Sequence, residues 1–230
     1  MSPPALVFDL DGTLVESAPS LHAAAARLLA AEGIAPLPLA TVRSFIGDGL
    51  PMLVTRIMAA VGLPPEPALH KRLLRAFEAD YGADPVTLTE PMPGAVEAVR
   101  TLRDAGCAIG LCTNKPESPA RAILAALGLL DAFDAVVGGD TLPVRKPDPV
   151  VLRLAHDRLG GGPCLSVGDG EVDAEMAQAA GMPLLLFTQG YRRGPVAGLP
   201  HAAAFDHFAE LPGLVLGGAV AGLEVRSPRP

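Results

Sequence analysis

The stretch that decides the fold is ALVFDLDGTLVES, residues 5–17. Its first four residues form a short unbroken apolar run, the pattern of a parallel strand covered on both faces. Two carboxylates, Asp9 and Asp11, follow at once. Burying charge is costly without a partner, so a strand that ends this way must deliver both groups to something that holds them. Comparable apolar runs recur at residues 108–112, 135–137, 164–167 and 184–187, with helical patterns between them at 94–105, 119–127, 149–159 and 174–180. Strand–helix alternation of this kind predicts an α/β fold built on an open, doubly wound parallel sheet.

Residues 15–86 interrupt the alternation and read as helices only, at 20–32, 39–45, 50–61 and 67–81. Pro19 near the first turn of the first helix and Gly33 just past its last turn are helix-end residues. Pro-rich connections at 35–39 and 63–67 separate the segments. A helical block inserted after the first strand predicts an all-helical cap domain, residues 15–86, on a discontinuous α/β core of residues 1–14 and 87–230. Residues 15–17 are then the hinge.

The chain of 230 residues is half hydrophobic and 19% charged, which suits a folded protein with a substantial core. It has no Trp and only 4% aromatics, so Ala, Leu and Val must fill that core. A net charge of -7 argues against a nucleic-acid groove or an anionic membrane as the main partner. The odd set Cys107, Cys112 and Cys164 shows neither disulfide nor zinc spacing, and its apolar surroundings suggest buried thiols in a reducing compartment. No secretory signal is visible, and the apolar run at 211–223 is shorter than the ~20 residues a membrane helix needs. The expectation is a cytoplasmic protein, monomer or homodimer.

In an open parallel sheet, ligands sit beyond the carboxyl ends of the strands. The unusual polar residues fall there: Asp9 and Asp11 after the first run, Thr113, Asn114 and Lys115 after the second, and Asp169 and Asp173 after a later one. Lys146, one of only three lysines, follows another run and precedes a helix. Singly, an Asp in such a place is a cap and a Lys is solvated. Four strand ends loaded together point to a site. Converging carboxylates repel one another and hold protons at neutral pH. A hard divalent cation removes that conflict, and oxygen-only ligation with room for water suits Mg²⁺. A lysine and a hydroxyl beside such a cation suit an incoming phosphate, and Gly12 lets the backbone turn its N–H groups toward it. The residue types point to phosphoryl transfer.

The segments DLDGTLVES, TNK, KPDP and GDGEVDAEMAQAAG, in this order and spacing, resemble the four motifs of the haloacid-dehalogenase-like superfamily. The resemblance spans nearly the whole chain and implies a Mg²⁺-dependent hydrolase of small phosphoesters. By motif it implies Asp9 as nucleophile and Asp11 as general acid and base. Thr113 and Asn114 would bind phosphoryl oxygens, and Lys146 would neutralise their charge. Mg²⁺ would be held by Asp9, Asp169 and the Asp11 carbonyl, with Asp173 an auxiliary carboxylate. Gly170 stands where the family more often has Ser, so the loop after Asp169 lacks a hydroxyl.

Segments 41–54 and 184–215 are similar to the phosphoglycolate phosphatases of that superfamily, which implies 2-phosphoglycolate as substrate. Its carboxylate calls for a cation or N–H donors from the cap. Arg43 and the turn Gly47, Asp48 and Gly49 are the candidates, with Arg56 behind them. Asp48 replaces a more usual Asn, and its charge is expected to point away from an anion. A beta-phosphoglucomutase-type mutase, or another phosphatase, would carry the same aspartates. A phosphonatase would need a cap lysine, whereas Lys71 reads as a solvated helix residue. A non-catalytic phosphate or metal sensor would have no use for an acid at Asp11. Tyr191, Arg192 and Arg193 read as a solvated loop.

Overall fold

The computed structural model describes residues 3–217. In chain order the elements are β1 (Ala5–Phe8), β2 (Val15–Glu16), α1 (Ala18–Ala31), α2 (Leu39–Arg43), α3 (Leu50–Ala60) and α4 (Pro67–Ala83). There follow β3 (Glu90–Pro91), α5 (Ala95–Asp104), β4 (Ile109–Cys112), α6 (Glu117–Ala126), β5 (Ala135–Val137) and α7 (Pro149–Arg158). The chain then runs through β6 (Cys164–Gly168), α8 (Glu171–Ala180), β7 (Leu184–Phe187), β8 (Ala203–Phe205) and α9 (Leu211–Leu216).

Six strands form one sheet in the order β5-β4-β1-β6-β7-β8, and every neighbouring pair is parallel. The chain begins in the middle at β1, moves outward through β4 and β5, then returns to the other side of β1 for β6, β7 and β8. This reversal opens a crevice at the carboxyl ends of β1, β4 and β6, the place where such sheets bind ligands.

The strand pattern sets the layers. Leu6 and Phe8 pack toward Val99, Leu102, Ile123 and Leu124 of α5 and α6 on one face. Ala5 and Val7 pack toward Leu152, Ala155, Ala174 and Ala177 of α7 and α8 on the other. Both faces are covered, which explains why the strands read as unbroken apolar runs. The few aromatics are concentrated: Phe187, Phe205 and Phe208 form a cluster with ring centroids 4.8 to 5.4 Å apart. The doubly wound α/β architecture expected from the sequence is therefore present. Strand β8 is an addition, because three residues with one fully buried side chain carry no periodicity.

Helices α1 to α4 bury a cluster of their own, including Leu21, Leu28, Val54, Ile57 and Phe77. The chain enters this block through β2 and leaves it through β3, which pair antiparallel with Val15 opposite Pro91 and Glu16 opposite Glu90. Among the described residues no helix is long and apolar enough to cross a membrane. Of the apolar run at 211–223, residues 218–223 lie outside the described residues. Cys107, Cys112 and Cys164 are buried and unpaired.

Candidate active site

Asp9 leaves the end of β1 with its backbone N–H donated to Val167 O at 2.8 Å, so the sheet register places its carboxylate. Asp9, Asp169 and Asp173 each bring a carboxylate oxygen within 4.8 Å of the others. Lys146 Nζ is 2.8 Å from Asp9 Oδ1 and 2.8 Å from Asp173 Oδ1, and its side chain is only 2% exposed. Burial works against this ammonium, but Asp173 and Asp9 outweigh it and hold the lysine above its usual range.

One lysine does not neutralise three carboxylates. Burial first, then the neighbouring Asp173, push the Asp9 carboxyl up to about 6 against the opposing pull of Lys146. Burial, Asp173 and Asp9 push Asp169 up to about 8. Asp9 Oδ1 is buried and makes no hydrogen bond of good direction, although Lys146 is close. An all-oxygen set with an orphaned carboxylate oxygen and raised pKa values fits a hard divalent cation such as Mg²⁺.

Asp11, two residues on, has different partners. Its Oδ1 accepts from Ser17 Oγ at 2.5 Å and from Lys115 Nζ at 2.7 Å. Its carboxylate thus stands outside the acidic cluster, turned toward the helical block. Lys115 is buried, and its ammonium also lies 4.7 Å from the centroid of the Tyr81 ring of α4. Burial alone would lower this lysine, but Asp11 and Tyr81 prevail and keep it charged.

The remaining groups frame the two aspartates. Thr13 Oγ1 donates to Asp169 Oδ1 at 2.7 Å, and the Tyr191 N–H donates to Asp169 Oδ2 at 2.6 Å. Asp173 Oδ2 accepts from the N–H groups of Asp169 and Gly170 at 3.2 and 3.3 Å. The loop that lacks a Ser hydroxyl at Gly170 is closed by this carboxylate instead. Gly12 has φ +85°, and a Cβ there would lie 2.7 Å from Asp169 Oδ2 and 2.8 Å from the Tyr191 ring. Gly190 is equally constrained, since its Cβ would fall 2.3 Å from Asp169.

Thr113 is buried and lines the cleft with Asp9 and Asp11, as do Gly47 and Gly49. Asn114 also lines it, but its carboxamide is committed: Nδ2 donates to Gly47 O at 2.9 Å and Lys146 O at 3.2 Å, while Oδ1 accepts from Lys146 N at 3.0 Å. This side chain ties the helical block to the Lys146 loop and has no free donor for a phosphate. Asp48 turns to Arg56 at 2.6 Å and Arg193 at 3.6 Å, so its charge is answered, as the turn requires.

Two further sequence expectations change. Arg43 is not brought to the cleft. It stacks on Tyr191 at 4.6 Å from the ring centroid, donates to Gly190 O at 3.2 Å and approaches Glu16 Oε2 at 3.6 Å. Tyr191 is not a solvated loop residue; it is 7% exposed, and its hydroxyl accepts from Ser17 N and Ala18 N at 2.8 and 3.1 Å while bonding Glu16. It therefore joins the Asp169 loop to the start of α1. No local pattern in GYRR distinguishes this from an exposed turn, because all its partners are remote in sequence. Lys115 did carry a signal, as one of three lysines and next to Thr113 and Asn114.

These shifts make a pH-dependent prediction. A carboxyl raised in the folded state keeps its proton where the unfolded chain, at about pH 4, has already released it. Its contribution to stability is complete below about pH 4 and is lost as pH rises toward the folded value of about 8. A divalent cation held by these carboxylates should restore what is lost. The rise in melting temperature on adding Mg²⁺ is therefore expected to grow between pH 5 and pH 8, measured by calorimetry. A shift independent of pH would mean that the cation binds elsewhere.

The crevice at the switch point of the parallel sheet gathers Asp9, Asp11, Asp169, Asp173 and the buried Lys146. The family model for haloacid dehalogenase-like hydrolases matches residues 3–181, and the chain belongs to that family. A phosphoglycolate phosphatase of Cereibacter sphaeroides is 53% identical over 212 residues, covering 92% of this chain and 97% of that protein. One from Rhodobacter capsulatus is 44% identical over 218 residues, covering 93% and 97%. The crystal structure of a predicted phosphoglycolate phosphatase from Haemophilus somnus superposes with a TM-score of 0.86 at 28% identity, covering 93% of this chain and 98% of that one.

Proposed function

We propose that this protein is a Mg²⁺-dependent phosphatase that hydrolyses 2-phosphoglycolate to glycolate and phosphate through an aspartyl phosphate on Asp9. The observation that carries the reading is the unequal environment of two aspartates on one strand end. Asp9 stands in the acidic cluster beside Lys146, and Asp11 stands outside it with Ser17 and Lys115. Similarity to phosphoglycolate phosphatases over nearly the whole chain supports the choice of substrate.

Asp9, Asp169 and the Asp11 carbonyl would hold Mg²⁺, which supplies positive charge that screens the phosphoryl group and stabilises the transition state. Lys146, 2.8 Å from Asp9 Oδ1, would share that electrostatic task. The Asp9 carboxylate attacks phosphorus in line, and the bond from phosphorus to the glycolate oxygen breaks. Asp11 donates its proton to that oxygen, then accepts one from the water that attacks the aspartyl phosphate, releasing phosphate and free Asp9. Thr113 and the Asn114 main chain receive the phosphoryl oxygens. Asp173 positions Lys146 and the loop that carries Asp169.

Residues 15–86 act in this reading as a cap over the core, with the β2–β3 ribbon as the hinge. The partner is a small phosphoester; the net charge of -7 gives no reason to invoke nucleic acid or a membrane. Three buried, unpaired cysteines support a reducing compartment such as the cytoplasm. Lys71 is exposed on α4, which disfavours Schiff-base chemistry. The test is kcat/KM across phosphoglycolate, sugar phosphates, nucleotides, pyrophosphate and phosphonoacetaldehyde with Mg²⁺. Phosphoglycolate is expected to lead. A flat profile would identify a general phosphatase, and isomerisation of a sugar phosphate would identify a mutase.

A further inference from the structure

We propose that Lys115 is the residue that selects the substrate by binding its carboxylate, an inference that rests on the phosphoglycolate reading above. The cleft divides at Asp9 and Asp11. One branch is lined by Lys146, Asp169, Asp173 and Arg193, the surroundings expected for a phosphoryl group and its cation. The other is open to solvent and runs under the helical block between Asp11 and Leu21, Ile46, Leu50 and Leu53. With phosphorus held at Asp9 and the leaving oxygen turned to Asp11, the rest of the substrate enters this second branch.

That branch is largely apolar, and Lys115 is the cation among the described residues that line it. Arg43, the sequence candidate, is engaged by Tyr191, Glu16 and Gly190 instead. Arg145, close to Gly49, is exposed and lines neither branch. The Lys115 side chain is only 1% exposed, so little water weakens its charge. An ammonium has three donors. Asp11 takes one at 2.7 Å, and the Tyr81 ring supports the cation from its face.

In glycolate the carboxylate carbon is two bonds from the leaving oxygen. A carboxylate there reaches the cation that already contacts the acid serving that oxygen. Lys115 then contacts the Asp11 side chain and the substrate carboxylate together, and supplies the positive charge that this branch offers to the carboxylate. The leaving group is thereby fixed in line, and a phosphoester without a second anion gains nothing from Lys115.

The test compares phosphoglycolate with ethyl phosphate, which has the same chain length and no carboxylate, in wild type, Lys115→Met, Lys115→Gln and Lys115→Arg. Loss of a charge-assisted hydrogen bond predicts a fall of about 30- to 100-fold in kcat/KM for phosphoglycolate in the Met and Gln variants. Ethyl phosphate should lose much less, so the ratio between substrates collapses, and Arg should restore part of it. Gln can still donate to Asp11, which keeps the test informative if Met prevents folding. An equal loss on both substrates would reduce Lys115 to a support for Asp11 and overturn the proposal. So would a preference for phosphoglycolate that survives in the Gln variant. A wild type that does not prefer phosphoglycolate would instead overturn the substrate reading itself, and the Lys115 proposal with it.

Discussion

Asp9→Asn is expected to lower kcat by at least about 10⁴-fold, the scale on which removal of a covalent nucleophile acts. Asparagine keeps the shape of the side chain but cannot form the acyl phosphate. The fold should survive, because the substitution removes one of three crowded carboxylates rather than a buried contact. The Asp9 carboxyl is already pushed up to about 6 by burial and Asp173, so its charge is a burden on the cation-free protein near neutral pH. The variant's melting temperature without Mg²⁺ should therefore equal or exceed that of wild type. Single-turnover assays with acid quench and ³²P-labelled substrate would detect a phosphorylated chain in wild type alone. A variant that still turns over, or still becomes labelled, would move the nucleophile elsewhere.

Lys146→Met is expected to be nearly as damaging, by a loss of about 10²- to 10³-fold in kcat, comparable to losing one preorganised electrostatic donor. The ammonium lies 2.8 Å from both Asp9 and Asp173, so it answers the charge of Asp9 and the charge that supports the Asp169 loop. Truncating one member of a buried charge group leaves the others uncompensated. Stability should fall as well, and more at pH 8 than at pH 5, since protonation relieves the repulsion. Lys146→Arg should not rescue fully, because a planar guanidinium cannot reproduce the two contacts of a buried point charge. Retained kcat in a folded Met variant would show that the bound cation alone carries the electrostatic task.

How much of this was legible in one chain depends on the range of the forces involved. The strand runs were readable because both sheet faces are covered, so burial leaves continuous apolar segments. β1, β5 and β7 have the same limits as the apolar runs that predict them, whereas β4 begins at Ile109, one residue into its run, and β6 extends to Gly168. Asp9, Asp11, Lys146, Asp169 and Asp173 were readable because the sheet places strand ends together, whatever the loops do. Strand β8 and the β2–β3 ribbon were not, since so few residues carry no pattern and are held by partners far along the chain.

The same division runs through the side chains. Arg43, chosen for its position in the cap, is drawn off by Tyr191 and Glu16, neither of which adjoins it in sequence. Asn114 sits in a motif expected to meet phosphate, yet its carboxamide holds the Gly47 carbonyl and both the N–H and the carbonyl of Lys146.

By itself the sequence determined the class of fold, the helical insertion and the set of groups able to handle a phosphoryl ester, because these follow from hydrophobic periodicity and from residue types at strand ends. Only the tertiary structure decided which aspartate joins the acidic cluster and which turns toward the cap. It also decided that Lys115 lines the cleft beside Asp11, while Arg43 is engaged by Tyr191 and Glu16. Those are matters of direction and distance between residues as far apart as Asp11 and Lys115. Burial, ion pairing and the packing of α4 against the core settle them, and no local pattern in the chain records their outcome.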